Sequence, residues 1–109
     1  MSQRAAKIES LIQQVVAAEL SALLERDAAA VTVTRVDSAA DMRNATIWIG
    51  LLGHPAVQEK LWTRIEGAQG ILQSTLSSKL TTKFVPRLHL RRDTGGEYAA
   101  KIDKLLRDL

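Results

Sequence analysis

The chain has no cysteine, which rules out a disulfide framework and thiolate chemistry and fits a reducing compartment. Aromatic residues are scarce. Two Trp, one Tyr and one Phe make up 4% of the chain, too few for a platform that stacks several bases in a row. No long apolar run occurs. The most hydrophobic stretch, TIWIGLLG from Thr46 to Gly53, falls far short of the ~20 residues that cross a bilayer. The opening MSQRAAKIES is polar and unlike a secretory leader, so a cytoplasmic protein with no membrane partner is expected. His54 and His89 have neither cysteine partners nor the spacing of a zinc-binding helix. Phosphate loops, dinucleotide fingerprints and Ser–His–Asp arrangements are also missing. The expectation is a protein that is not an enzyme and takes no metal or cofactor.

Acidic residues are missing from one place in particular. Ile71–Arg92 contains Lys79, Lys83, Arg87, Arg91 and Arg92 and not a single Asp or Glu. The formal charge of the whole chain is only +3. Met1–Gly70 has seven basic against eight acidic residues, whereas Ile71–Leu109 has eight against four. Localised positive charge, more than net charge, is what a polyanionic partner feels. The competing reading of such a run is a solvated surface.

The 109 residues are expected to form one domain, 1–109, large enough to bury a core without staples. Ile8, Leu11, Ile12, Val15, Val16, Leu20, Leu23 and Leu24 recur at spacings of three and four, which predicts a first helix fading near Asp27, with Ser2 as its cap. VTVTRV (Val31–Val36) reads as a strand, and DSAADMRNA as a turn in which Asp37 and Asp41 bond the backbone. ATIWIGLLG is a second strand with Ala45, Ile47, Ile49 and Leu51 on one face and Trp48 on the other. Trp48 could stack on a base or cover the open sheet face beneath another side chain. Gly53 ends the strand, Pro55 suits a first helical position and His54 its cap. Val57, Leu61 and Ile65 repeat every four residues, with Trp62 at the core rim. Helical spacing resumes at Leu72, Leu76 and Leu80 until Pro86, so Lys79 and Lys83 should share a helix face. PRLHLRRD alternates as a third strand with Arg87, His89 and Arg91 on the face opposite Leu88 and Leu90. A last helix carries Tyr98, Ile102, Leu105 and Leu106.

Between the central helical stretches lies GAQG (Gly67–Gly70). An unbroken helix from Pro55 to Lys83 would be ~43 Å long, whereas a compact domain of this size has a radius of gyration of about 13 Å. A bend answers that mismatch, with Gly70 permitting a positive φ or a close approach. G-x-x-G is also the loop with which KH domains hold a nucleic-acid backbone, through N–H groups at a helix start. The uncharged Ala68 and Gln69 in its middle weaken that second reading.

In order, these pieces resemble the bacterial ribosome-binding factor A family. RAAKIESLI (Arg4–Ile12) is similar to its first helix, and VTVTRVDSAADMRNATIWIGLLG to its strand–turn–strand, through Val33, Val36, Asp41 and Ala45. EGAQGILQSTLSSKL is similar to its bent helix pair, where Ala68, Gln69 and Gly70 match an Ala-x-Gly interruption, and VPRLHLRRD to its closing strand through Pro86, Leu88 and Asp93. The chain departs from the family at Gln73, where an Arg is usual, and at Leu90, where an aromatic is frequent. The resemblance implies an α+β, type II KH-like domain, a three-stranded sheet covered by helices in the order α-β-β-α-(kink)-α-β-α. It implies a monomer that binds the small (30S) ribosomal subunit through its 16S rRNA, with its proteins as further contacts. It also implies help with late maturation of the rRNA 5′ end and a role in cold adaptation. RNA contacts are then expected at Arg4, Lys7, Ala68, Gln69, Gly70, Lys79, Lys83, Arg87, Arg91 and Arg92. The rival readings are a generic KH-like single-stranded RNA binder and a protein-interaction domain that never meets RNA.

Overall fold

A computed structural model describes residues 3–94 and Arg107. The expected Ser2 cap and the last helix around Tyr98–Leu106 lie outside the described residues. The elements are α1 (Gln3–Leu24), a 3-10 turn (Glu25–Ala30), β1 (Val31–Ser38), β2 (Asn44–Leu51), α2 (Pro55–Gly67), α3 (Gln69–Lys79) and β3 (Arg87–Arg92). The sheet order is β1-β2-β3, with β1 antiparallel and β3 parallel to β2. Parallel pairing needs a long crossover connection between β2 and β3, and α2 and α3 supply it. The α+β class and, as far as β3, the KH-like order of the expectation are the architecture found.

One face of the sheet is the core. From β2, Ala45, Ile47, Ile49 and Leu51 all point into it, as their alternation predicts. From α1 the buried set is Ile12, Val16, Leu20 and Leu24, one residue per turn. Leu11 is 47% exposed and Val57 49% exposed, so both fall outside the buried stripe that their spacing suggested. α2 contributes Leu61 and Ile65, and α3 contributes Leu72 and Leu76. Trp62 packs against the rim of this cluster.

β1 does not alternate evenly. Val33 pairs with Ile49, yet Arg35 pairs with Trp48 and Val36 with Ile47, so Thr34 is the extra residue of a bulge. Without it, Val33 and Arg35 would share the core face and Val36 would face out. The bulge returns Val36 to the core and turns Arg35 to the open face, over the Trp48 ring at 5.1 Å from its centroid. The Trp48 indole N–H donates to Asp37 at 3.1 Å. Trp48 is therefore covered by β1 side chains, and Asp37 serves the indole and Arg35. Asp41 alone plays the expected turn role, its carboxylate accepting from the Arg43 N–H.

The helical hairpin breaks at a single residue. Ala68 takes φ −92°, ψ 2°, and its N–H donates back to Arg64 and Ile65 while its carbonyl receives Leu72. Neither Gly67 nor Gly70 has a positive φ, and a Cβ on either would meet nothing within 4 Å. The bend is real, but it does not need the conformational freedom of Gly70. The helix start at Pro55 has the expected cap, His54 Nδ1 accepting from the Ala56 N–H. The helix stop differs from the expectation. α3 ends at Lys79, and Leu80 is already extended with ψ 135°, well ahead of Pro86. Consecutive β-branched Thr81 and Thr82 weaken helix propagation there. Lys83 consequently sits in the loop before β3 and not on the helix face of Lys79.

Candidate nucleic-acid interface

The end of the sheet carrying the β1–β2 turn gathers several of the expected basic residues. β3 enters the sheet there, and the Arg87 N–H donates to the Arg43 carbonyl at 2.8 Å, setting the backbones of two arginines side by side. The loop from Leu80 to Pro86 brings Lys83 to the entry of β3. At the same end, α1 docks on the turn: Glu9 accepts from the backbone N–H and the hydroxyl of Ser38 at 2.7 and 2.9 Å. Arg4 lines a shallow recess there with Ser38, Ala39 and Met42. Arg4, Lys7, Arg43, Lys79, Lys83, Arg87 and Arg91 carry no ion pair among the described residues. Each remains able to meet a phosphate at the cost of little more than side-chain entropy.

Along β3 the side chains divide. Arg87, His89 and Arg91 are exposed on the open face, beside Asn44, Thr46 and Trp48 of β2. His89 Nε2 lies 2.8 Å from Asn44 Oδ1. Arg92 has the parity of Leu88 and Leu90 and lies on the helix side. Its guanidinium donates to Glu59 and, at 3.2 Å, to Gln58, and it stands over the Trp62 ring at 5.9 Å. The structure thus separates Arg92 from the other cations of the run and employs it to fasten α2 to β3. Glu59 of α2 is its ion-pair partner.

The kink residues stand on another side of β3. Arg87 and Asp93 bond their N–H groups to β2, so Leu88 turns its backbone to the outer edge of the sheet. Two glutamines close that edge. Gln69 donates to the Leu88 carbonyl at 2.8 Å. Gln73 accepts from the Leu88 N–H at 2.8 Å and donates to the Pro86 carbonyl at 3.0 Å. The side chain of Gln69, expected to touch RNA, is committed to the fold, and so is Gln73 at the position where the family usually has Arg. Ala68 and Gly70 remain at the surface of the bend.

Two residues of this surface escaped the sequence reading. Arg43 lay in a turn with no periodic signal, and only the parallel pairing of β3 brings it to Arg87. Phe84 had no partner at helical or strand spacing, and it is 61% exposed in the loop before β3. Among the described residues no group of three or more His, Cys, Asp or Glu side chains could hold a metal. Among them also, no helix is long and apolar enough to cross a membrane.

Comparison with known proteins matches the same span. The sequence model of the family described as Ribosome-binding factor A covers residues 4–106. The ribosome-binding factor A of Limosilactobacillus fermentum is 35% identical over 108 residues, spanning 94% of this chain and 90% of the relative. That of Chlorobaculum tepidum is 30% identical and spans 100% of this chain and 92% of its own length. A Thermotoga maritima protein, solved by NMR as a candidate ribosome binding factor A, superimposes with a TM-score of 0.71 at 27% identity, over 89% of this chain and 93% of that one. The Thermus thermophilus ribosome binding factor A, as a homology model fitted into a cryo-EM map of a 30S complex, shares the fold with a TM-score of 0.60 at 19% identity, over 78% of this chain and 90% of that one.

Proposed function

This chain belongs to the ribosome-binding factor A family, and on that premise we propose that it is a non-catalytic cytoplasmic assembly factor that binds the free small (30S) ribosomal subunit. Its partner there is 16S rRNA. The observation that carries this reading is the acid-free stretch Ile71–Arg92, whose Lys79, Lys83, Arg87 and Arg91 are left without internal ion pairs among the described residues. Arg87 lies beside Arg43 at one end of the sheet, with Lys83 in the loop that leads into β3, and the helix-covered face of the sheet is used by the core. A rigid wedge of this kind acts by occupancy. Its cations take up phosphates and fix its register on the RNA, and the docked body holds the RNA in one arrangement while maturation proceeds. Phosphate neutralisation supplies most of the affinity, which therefore falls steeply with salt.

The finer parts of the proposal rest on the resemblance to the family. The factor acts as a monomer late in assembly, assists maturation of the 16S rRNA 5′ end, and matters most in the cold. Arg4 and Lys7, at the α1 start beside the β1–β2 turn, extend the same basic end. Ala68 and Gly70 add a backbone contact only if the bend itself reaches the RNA.

Sedimentation of a tagged chain from cell lysate tests this. The expected result is co-migration with free small subunits and not with joined ribosomes, and accumulation of unprocessed 16S precursor when the factor is depleted. Migration with the unbound protein fraction at low salt would contradict it. Equal affinity for short free oligonucleotides and for subunits would favour the generic RNA binder.

A further inference from the structure

Phe84 is the only phenylalanine of the chain and, among the described residues, the most exposed of the large hydrophobic side chains, at 61%. Its exposure is imposed by the residues around it. Leu80 is buried and its N–H is held by the Leu76 carbonyl. Pro86 is fully buried, with its carbonyl bonded by Gln73. Val85 packs against the core rim. Between these anchors the Thr82 hydroxyl donates to the Phe84 carbonyl at 2.9 Å, and the ring is left pointing outward. Lys83 Nζ stands 5.5 Å from the ring centroid.

The surroundings of the ring select its partner. From Thr81 to Arg87 the loop shows no other large hydrophobic side chain that is exposed, and its charges are Lys83 and Arg87, with Lys79 just before it. The buried centre of a protein–protein interface is depleted of charged side chains, lysine in particular. An isolated ring among cations suits a partner that carries a flat π-face and a phosphate on one unit, which is a nucleotide. We propose that Phe84 stacks on an unpaired base of the RNA whose phosphates Lys79, Lys83 and Arg87 engage, an assignment that rests on the small-subunit reading above. The cations supply the affinity that salt screens, and the ring supplies a part that salt does not reach. Because stacking tolerates any base, the contact selects single-stranded or bulged RNA over duplex without reading sequence.

Equilibrium binding to purified free small subunits tests it with Phe84→Ala, Phe84→Leu and Phe84→Tyr. The Ala and Leu variants should bind roughly ten-fold more weakly than the wild type, and Tyr within about two-fold of it. All three should keep the wild-type melting temperature, since the ring is outside the core. All three should also keep the wild-type slope of log affinity against log salt, since no charge is removed. Ultraviolet cross-linking of the wild-type complex should yield a Phe84 peptide bearing a nucleotide. Full binding by Phe84→Ala overturns the proposal, as does full binding by Phe84→Leu, which would mark an apolar protein pocket. A cross-link from Phe84 to a ribosomal protein, or a large loss of melting temperature in Phe84→Ala, overturns it too. A wild-type chain that does not bind subunits at all overturns the proposed function, and this inference with it.

Discussion

Arg87 and Arg92 stand on the same six-residue strand and have opposite employments. Arg92 is turned to the helix side, where it joins Glu59, Gln58 and the Trp62 ring. Arg87 is exposed at the turn end of the sheet, next to Arg43 and with no ion pair among the described residues. The same division recurs elsewhere among the described residues. Arg64 is joined to Asp27, and Arg35 to Asp37 and Trp48. Lys79, Lys83 and Arg91 have no ion pair among the described residues. Summed charge thus misleads: part of the basic content builds the fold, and the remainder is what a polyanion can use.

The largest break of this comparison is to reverse the available group. Exchanging Lys79, Lys83 and Arg87 together for Glu should lower affinity for free small subunits by at least three orders of magnitude at moderate salt, because it adds repulsion to the lost contacts. Far-UV circular dichroism should not change. Retained co-sedimentation would remove the basic end from the interface.

The next effect falls on the committed group and on stability. Gln73→Ala leaves the Leu88 N–H and the Pro86 carbonyl without their side-chain partner at a half-buried edge. The expected cost is ~1–3 kcal/mol, read as a lower denaturant midpoint. Subunit affinity per folded molecule should hold. A smaller loss is expected from Arg92→Gln, which removes an ion pair whose Arg side chain is 24% and Glu side chain 67% exposed. About 0.5–1 kcal/mol is reasonable there, with binding unaffected.

The smallest stability effect sharpens the reading of the bend. A Cβ at Gly70 meets open space at an ordinary helical φ. Gly70→Ala should therefore leave the fold unchanged or more stable by up to ~1 kcal/mol. If subunit affinity falls while stability holds, the backbone at Gly70 approaches RNA and GAQG acts as a clamp. If both hold, Ala68–Gly70 is a bend and nothing more.

How far the sequence could be read follows from the kind of signal each feature leaves. The three strands, the broken helix pair and most of the core lie in short-range periodicity, and Ile47, Ile49, Leu61 and Leu76 were legible that way. Leu11 and Val57 were not, because spacing gives the axis of a buried stripe and not its width. The β1 bulge leaves no mark in composition, since it exists only in the register between β1 and β2. Gln69 and Gln73 are ordinary helix residues until a strand edge comes to lie beneath them. Arg92 was legible in principle, since it shares the parity of Leu88 and Leu90, which were expected inside. Arg43 depended on the long-range pairing of Asn44 with Arg87, which no local pattern contains.

The central claim is that charge left unpaired by the fold does the binding and charge used by the fold does not. The most direct measurement is affinity for purified free small subunits over a range of salt, for the wild type, Arg87→Gln and Arg92→Gln side by side. The account predicts that Arg87→Gln weakens binding and reduces the steepness of the log–log salt slope by about 0.7–0.9, the share of one phosphate contact, while Arg92→Gln superimposes on the wild type. A slope reduced equally by Arg92→Gln, or untouched by Arg87→Gln, would contradict it.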